Sequence, residues 1–479
     1  MFNYAVFATQ NNYYLFDGCS SNIFAITPLM YEKHREIFKN FASGFVNPDN
    51  LFTAEYADLE AAVSERMLYA RSNGDMQYWF DIDEYRRTLY EHISHLMIGI
   101  TEQCNMRCRY CVYGGHYQNE RIHGNKAMSP EYAIALVKQF LSISSCEEKI
   151  VNFYGGEPFT NFPVIERTLE YIKTVDSRIK IYITTNGTLL NDYVCRWFSE
   201  NKNVYLYVSI AGVHKQHDAL RVMANGKPSF DVIRANLSRL QNMDPESYSS
   251  RVNFVFNLFA ERQLFELQEF WEQDPLFHNV NNLPEITFID CVDDDGTIKD
   301  MRNDVSAGYQ GIGNPLDEYI RRLQMADYNN LFVKHYDTKF LRIHRRIPDN
   351  KNIIAGVCRP FINKLFVDCD GNLHVCENFS CGDSLGKFLD GISVDAIVKL
   401  LLAYQAERNK MCKRCWASKM CSLCFRDIYD RNGAVNLIRA AGVCHDERAA
   451  LTATLAEYCS VLEHGTTLLN HLDQYILHV

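Results

Sequence analysis

Cys104-Asn105-Met106-Arg107-Cys108-Arg109-Tyr110-Cys111 carries three thiols, with three residues in the first gap and two in the second. Three thiolates on one short loop can each hold one iron of a cubane 4Fe-4S cluster and leave the fourth iron open to another ligand. A tetrahedral zinc site would need a fourth protein ligand close by, and no further cysteine follows within the next thirty residues. Three cysteines buried only for packing would not need this spacing.

The rest of the chain suits such chemistry. At 479 residues with 47% hydrophobic composition, it is long enough for about three domains with real cores. A net charge of −10 argues against nucleic acid as the main partner. The start, Met1-Phe-Asn-Tyr-Ala-Val, lacks the basic and apolar runs of a signal peptide, and no 18-residue apolar stretch occurs. Seventeen cysteines without a secretion signal point to metal ligation rather than disulfides. The expectation is therefore a cytoplasmic protein with no membrane association.

Upstream of the cysteine loop, residues 1–92 read as a small α+β unit. Tyr4–Ala8, Asn12–Phe16 and Asn22–Ile26 read as short strands, and Thr27-Pro28 opens a helix through about Phe41. A second helix, about Thr53 to Ala70, would put Tyr56, Leu59, Val63 and Met67 on one stripe.

Residues 93–310 alternate strand and helix. The candidate strands are Leu96–Thr101, Ile150–Tyr154, Ile179–Thr184, Val204–Ile210, Val252–Leu258 and Glu285–Cys291. Ser129-Pro130-Glu131 caps a helix with Ala133, Leu136, Val137, Phe140 and Leu141 on one face. Such alternation implies parallel strands with right-handed crossovers. Residues 311–355 read as a bridge with a helix around Leu316–Met325, and Asp293-Asp294-Asp295-Gly296 as a solvated turn.

With its strand context, the Cys104–Cys111 motif resembles that of the radical S-adenosylmethionine (SAM) enzymes. The resemblance implies an α/β fold, a partial (β/α)6 TIM-like barrel with its active site at the carboxyl ends of the strands. It implies that SAM chelates the open iron and is split by one electron into methionine and a 5′-deoxyadenosyl radical. Tyr110 matches the position beside the adenine. Gly155-Gly156-Glu157, after the second strand, matches the segment that binds the SAM amino group through backbone carbonyls and the carboxylate. Thr184 and Asn186 end the third strand and Ser209 the fourth, like the family's segments near the ribose and carboxylate. Ala211 stands where the family has aspartate. Arg221 matches the residue that pairs with the SAM carboxylate, a surface arginine being the alternative.

Residues 356–479 read Cys358, Gly371, Cys376, then Cys412-x-x-Cys415, Cys421-x-x-Cys424 and Cys444. This resembles the SPASM extension of peptide-maturing radical SAM enzymes, which binds two auxiliary 4Fe-4S clusters. The resemblance assigns Cys412, Cys415, Cys421 and Cys444 to the outer cluster, and Cys358, Cys376 and Cys424 to the inner one. Cys369 and Cys381 are candidates for its fourth ligand, or a substrate thiolate binds there. A four-thiolate zinc ribbon of Cys412, Cys415, Cys421 and Cys424 would leave three cysteines idle. Asp370-Gly371 reads as a hairpin turn. Cys19, Cys146, Cys195, Cys291 and Cys459 read as small buried residues.

Residues 1–92 likewise resemble the leader-peptide recognition domain of such enzymes, with a packing domain as the alternative. The resulting expectation is a three-cluster enzyme that modifies a leader-bearing ribosomal peptide, fed by an electron donor such as flavodoxin or ferredoxin. The favoured reaction is a thioether crosslink from a peptide cysteine to a carbon of another residue. Carbon–carbon or carbon–oxygen crosslinking and sulfatase maturation are the alternatives within the fold. A non-enzymatic iron–sulfur or zinc scaffold is the different class.

Overall fold

The computed structural model describes residues 4–40, 74–115, 121–289, 291–292, 298–299, 313–345, 352–356, 358–379, 385–430 and 434–475. The helix expected over 53–70, the acidic turn at 293–296 and Cys381 lie outside the described residues.

The first strands, β1 (Tyr4–Ala8), β2 (Tyr13–Asp17) and β3 (Ile23–Ile26), form an antiparallel meander in that order. Phe7, Leu15 and Phe16 are buried beneath it. Thr27 caps the following helix α1 (Pro28–Asn40) by accepting from the Met30 amide at 3.3 Å.

The main sheet takes β4 (His95–Thr101), β6 (Ile150–Gly155), β7 (Lys180–Thr185), β8 (Val204–Ile210), β10 (Val252–Leu258) and β11 (Glu285–Phe288) as parallel neighbours in chain order. Two short strands, β5 (Met106–Cys108) and β9 (Arg221–Met223), pair antiparallel outside it. All six sheet strands fall where the alternation predicts them, and the sixth ends three residues early. Helix α2 (Pro130–Ile143) starts at the expected cap, where Ser129 Oγ accepts from the Tyr132 amide at 3.2 Å. Ala133, Leu136, Val137 and Phe140 are fully buried against the sheet, and Leu141 packs at its margin. Strand side chains such as Ile98, Phe153, Ile183, Leu206 and Phe256 are 0% exposed, so one continuous apolar layer fixes strand register.

The sheet continues past its first strand. β12 (Lys364–Val367) pairs parallel beside β4, and β13 (Leu373–His374) closes the edge antiparallel. The turn between them is the expected hairpin at Asp370-Gly371, with Gly371 at φ +85°. Residues from the last unit thus extend the sheet of the second, placing Cys369 beside Gly99, whose carbonyl accepts from the thiol at 2.9 Å.

Residues 74–92 also pack away from the meander. Tyr78 donates to the Leu401 carbonyl at 2.8 Å, and Tyr85 to the Pro360 carbonyl at 2.5 Å. Helix α3 (Leu331–His344) leads toward the last unit, whose long helices are α4 (Val394–Cys412) and α5 (Leu437–His464). The helix expected around Leu316–Met325 is Pro315–Gln324. Cys19, Cys195 and Cys459 are buried as expected, whereas Cys146 is partly exposed and donates to the Glu91 carbonyl at 3.4 Å.

Candidate active site

The cysteine loop leaves the carboxyl end of β4 and returns through β5, where Cys108 pairs with Arg221 of β9. Backbone amides two residues on turn toward two of the sulfurs: Met106 N to Cys104 Sγ and Tyr113 N to Cys111 Sγ, each at 3.4 Å. His123 Nε2 lies 3.8 Å from Cys111 Sγ. Burial pushes the Cys104 thiol up to about 11 and the Cys111 thiol to about 12, and raises Cys108 as well. Cys104 also feels the charge of Cys108, and Cys111 that of both Cys108 and Cys104. Low dielectric thus opposes three bare thiolates here, and cation ligation reverses that balance.

Gly155 and Gly156 bind the second strand to the cysteine loop rather than leaving room for a ligand alone. The Gly156 amide donates to Thr101 O and the Glu157 amide to Gln103 O, both at 2.8 Å. A Cβ at Gly155, where φ is +128°, would lie 2.3 Å from Thr101 O, and one at Gly156 2.1 Å from Gln103 O. Only glycine permits this approach.

Glu157 is fully buried, and its carboxylate already has three protein donors. Oε1 accepts from Thr185 Oγ1 at 2.8 Å and Phe159 N at 3.2 Å, and Oε2 from Asn186 N at 2.7 Å. Desolvation nevertheless holds its pKa above the ordinary carboxylate value. The side chain therefore splices the second strand end to the third. Asn186 continues the splice by donating to Asn105 Oδ1 at 2.9 Å, with its amide 4.0 Å from Cys104 Sγ. Thr184 and Ser209 stand half-buried on β7 and β8, in register with Tyr207 and Val255.

Arg221 is 4% exposed, which removes the surface alternative. Its NH1 donates to the Tyr110 hydroxyl at 2.6 Å, and that hydroxyl also accepts from Asn257 Nδ2 at 3.0 Å. Its Nε is buried with no hydrogen-bond partner among the described residues. The Tyr110 ring packs on Ala211, Leu220 and Phe259, so Ala211 supplies an apolar wall where a carboxylate was the family expectation. Its amide donates to His217 Nδ1 at 3.3 Å, His217 Nε2 meets Ser229 Oγ at 3.0 Å, and Ser229 Oγ donates to Arg221 O at 2.6 Å. Burial holds the His217 imidazole down to about 2, so it stays neutral in this relay.

Asn105, His123, Asn257 and His217 were missed from sequence. Only Asn257 carried a signal, a polar residue at the end of an apolar strand.

Several of the C-terminal cysteines lie close enough for one thiol's charge to act on another. Cys412 senses Cys415 and Cys444, Cys421 senses Cys412, and Cys444 senses Cys415. Cys376 senses Cys358, while Cys424 lies with Asp427 and Arg426. Cys369 senses Glu102, Asp368 and Asp370 rather than another thiol.

Among the described residues, no three His, Cys, Asp or Glu side chains converge to hold a single metal ion. One tetrahedral zinc needs sulfurs roughly 3.8 Å apart, from a Zn–S bond of about 2.3 Å. A cubane puts each thiolate on a different iron and so takes a wider set. Three neighbouring thiols beside a buried cation with an unpartnered Nε fit a SAM-binding cluster in that respect.

The sequence model of the Radical SAM superfamily matches residues 98–252. Over 254 residues the chain is 26% identical to a cysteine-type anaerobic sulfatase-maturating enzyme of Clostridium novyi, covering 52% of this chain and 60% of that protein. It is 24% identical to a radical SAM cyclopropyl synthase of Paramaledivibacter caminithermalis over 41% of this chain and 45% of that one. The chain thus spans about half the length of these curated relatives. Its fold is similar to native anSMEcpe, an anaerobic sulfatase maturase, with bound AdoMet and Cp18Cys peptide: TM-score 0.52, 17% identity, 80% of this chain and 99% of that one. No helix among the described residues is long and apolar enough to cross a membrane.

Proposed function

Residues 98–252 are a radical SAM domain, and from that premise we propose that the chain crosslinks a ribosomally made peptide through a thioether. Cys104, Cys108 and Cys111 would hold the SAM-binding 4Fe-4S cluster. A cluster and SAM bound there would supply a 5′-deoxyadenosyl radical to take a carbon-bound hydrogen from the peptide. The second hydrogen would leave as the thiol's proton, and the electron released on carbon–sulfur bond formation would pass to the inner auxiliary cluster. Arg221 is suited to the SAM carboxylate, because its Nε has no partner among the described residues and keeps one donor free, while the Tyr110 hydroxyl, itself held by Asn257, fixes NH1. The backbone of Gly155 and Gly156 would meet the amino group. The Glu157 carboxylate, fully engaged with Thr185, Asn186 and Phe159, would hold that backbone in place.

The observation that carries the peptide reading is the partition of the C-terminal thiols. Cys412, Cys415, Cys421 and Cys444 form one charge-coupled group and Cys358 with Cys376 another, supporting two auxiliary clusters. The β1–β3 meander supports recruitment of a leader, since among the described residues β3 ends the sheet and an extended peptide can add to such an edge.

A second reading, sulfatase maturation, draws on the similarity to the sulfatase-maturating enzyme. One experiment separates the two. The reconstituted, reduced protein is given SAM with either a leader-bearing cysteine peptide or a sulfatase polypeptide. The thioether reading expects 5′-deoxyadenosine and a peptide lighter by two hydrogens that no longer takes up a thiol alkylating reagent. Turnover of the sulfatase polypeptide alone would favour the second reading, and no 5′-deoxyadenosine with any substrate would leave only a scaffold.

A further inference from the structure

We propose that Arg408 is the buried counter-charge of the cluster held by Cys412, Cys415, Cys421 and Cys444, and that its guanidinium sets that cluster's reduction potential. The inference rests on the two-cluster reading above and deepens it.

Arg408 is 0% exposed and heads the largest fully buried side chains. It lies on α4 one helical turn before Cys412, on the same face of that helix. NH1 donates to the Tyr404 hydroxyl at 3.0 Å and to the Leu423 carbonyl at 3.1 Å. Leu423 sits between Cys421 and Cys424, so this contact ties the second thiol pair to the helix bearing the first. Nε and NH2 are buried with no hydrogen-bond partner of acceptable geometry among the described residues.

A guanidinium stays protonated in proteins, and an uncompensated buried charge costs several kcal/mol. The ion pairs of the described residues include no carboxylate on Arg408. The groups whose charge acts on it are Tyr404 and the thiols of Cys412 and Cys421, and Cys444 senses it in turn. Burial raises the Cys412 thiol to about 11, and the guanidinium opposes that rise by charge and by a side-chain contact. Besides the Tyr404 hydroxyl and the Leu423 carbonyl, the cation therefore faces thiols that become anionic when they ligate metal.

Net charge and hydrogen bonds to sulfur are two of the quantities that set an iron–sulfur potential. Four thiolates make the site anionic, and reduction adds one more electron. A fixed positive charge beside it favours the reduced form and raises the potential. The two unpartnered N–H donors act in the same direction toward sulfur.

The test is a redox titration of the reconstituted full-length protein, with dithionite as reductant and EPR as readout. A Cys104→Ala/Cys108→Ala/Cys111→Ala background removes the first cluster's signal, and Cys444→Ala identifies the outer cluster's signal by its loss. At the wild-type midpoint, Arg408→Met should lower the reduced-to-oxidised ratio at least about tenfold, which for one electron is about 59 mV to the negative side. Arg408→Lys, which keeps the charge, and Tyr404→Phe, which keeps the guanidinium, should stay near the wild-type ratio.

An unchanged ratio in Arg408→Met with iron content intact overturns the inference and leaves the cluster standing. If the starting protein shows no signal that Cys444→Ala removes, the cluster reading itself fails. If Arg408→Met assembles no outer cluster, Arg408→Lys decides. Assembly at the wild-type potential supports the charge, and failure of both, with Tyr404→Phe assembling, shows that the guanidinium only pins the Leu423 carbonyl.

Discussion

At the scale of single residues, the site rests on backbone contacts as much as on ligands. Gly155 and Gly156 match in sequence a segment that meets the SAM amino group, and in the fold their missing Cβ atoms leave room for the Thr101 and Gln103 carbonyls. The residue type was legible; its partner was not, because two loops separated by fifty residues meet only once β4 and β6 pair. Gly155→Ala should therefore lower stability by about 1–3 kcal/mol from the positive φ alone, measured by denaturant unfolding. It should also displace the cysteine loop and reduce 5′-deoxyadenosine formation. Wild-type stability and turnover in this variant would show that the two loops can part without consequence. Arg221 gives a second prediction. Arg221→Gln should weaken SAM binding in equilibrium dialysis at least tenfold, since a charged hydrogen bond contributes about 1.5–3 kcal/mol. Tyr110→Phe should weaken it less, because it frees a donor rather than removing the charge.

At the scale of elements, the β1–β2 turn is clamped to the end of α5 by one carboxylate. Glu463 Oε1 accepts from Thr9 Oγ1 and Tyr14 OH at 2.7 Å and from Asn12 Nδ2 at 3.0 Å, and Oε2 from Asn11 Nδ2 at 3.2 Å. Desolvation of Glu463 is outweighed by these donors, so its pKa is held below the ordinary value. The sign follows directly. A depressed folded pKa gives stability that is present above the unfolded value of about 4.3 and lost as pH falls through the folded value. Glu463→Gln should cost about 1 kcal/mol after solvent screening at neutral pH. The difference from wild type should shrink on acidification below about pH 4.3, as followed by unfolding midpoints. A difference that grows on acidification would contradict the clamp. The strands and the Ser129 cap were legible because period, apolar runs and capping are local. The pairing of β12 with β4 was not, since its register joins residues some 270 positions apart. The same long-range packing buries Met76, Tyr78 and Tyr85, so removing residues 1–92 whole would open the core rather than delete an appendage.

At the scale of the whole molecule, iron content and the fate of the substrate sulfur decide the proposal. Three clusters predict about twelve irons per chain after anaerobic reconstitution, and Cys104→Ala/Cys108→Ala/Cys111→Ala should remove about four of them with all SAM cleavage. A triple variant with full iron would overturn the assignment of the first cluster. The inner group then presents a choice. Cys358 is exposed and its charge acts on Cys376, while the Cys369 thiol donates a hydrogen bond to Gly99 O and senses only carboxylates among its acidic neighbours. That placement favours an iron open to a thiolate of the peptide over ligation by Cys369. Metal ligation would lower the peptide thiol's pKa and hold its sulfur for carbon–sulfur bond formation. Cys369→Ala should accordingly retain the inner cluster's iron and spectrum. The precursor should perturb that spectrum, and a precursor with cysteine replaced by serine should leave it unchanged. Loss of the cluster in Cys369→Ala would instead name its fourth ligand, leaving the inner cluster to electron transfer and the thioether proposal without a place to hold its sulfur.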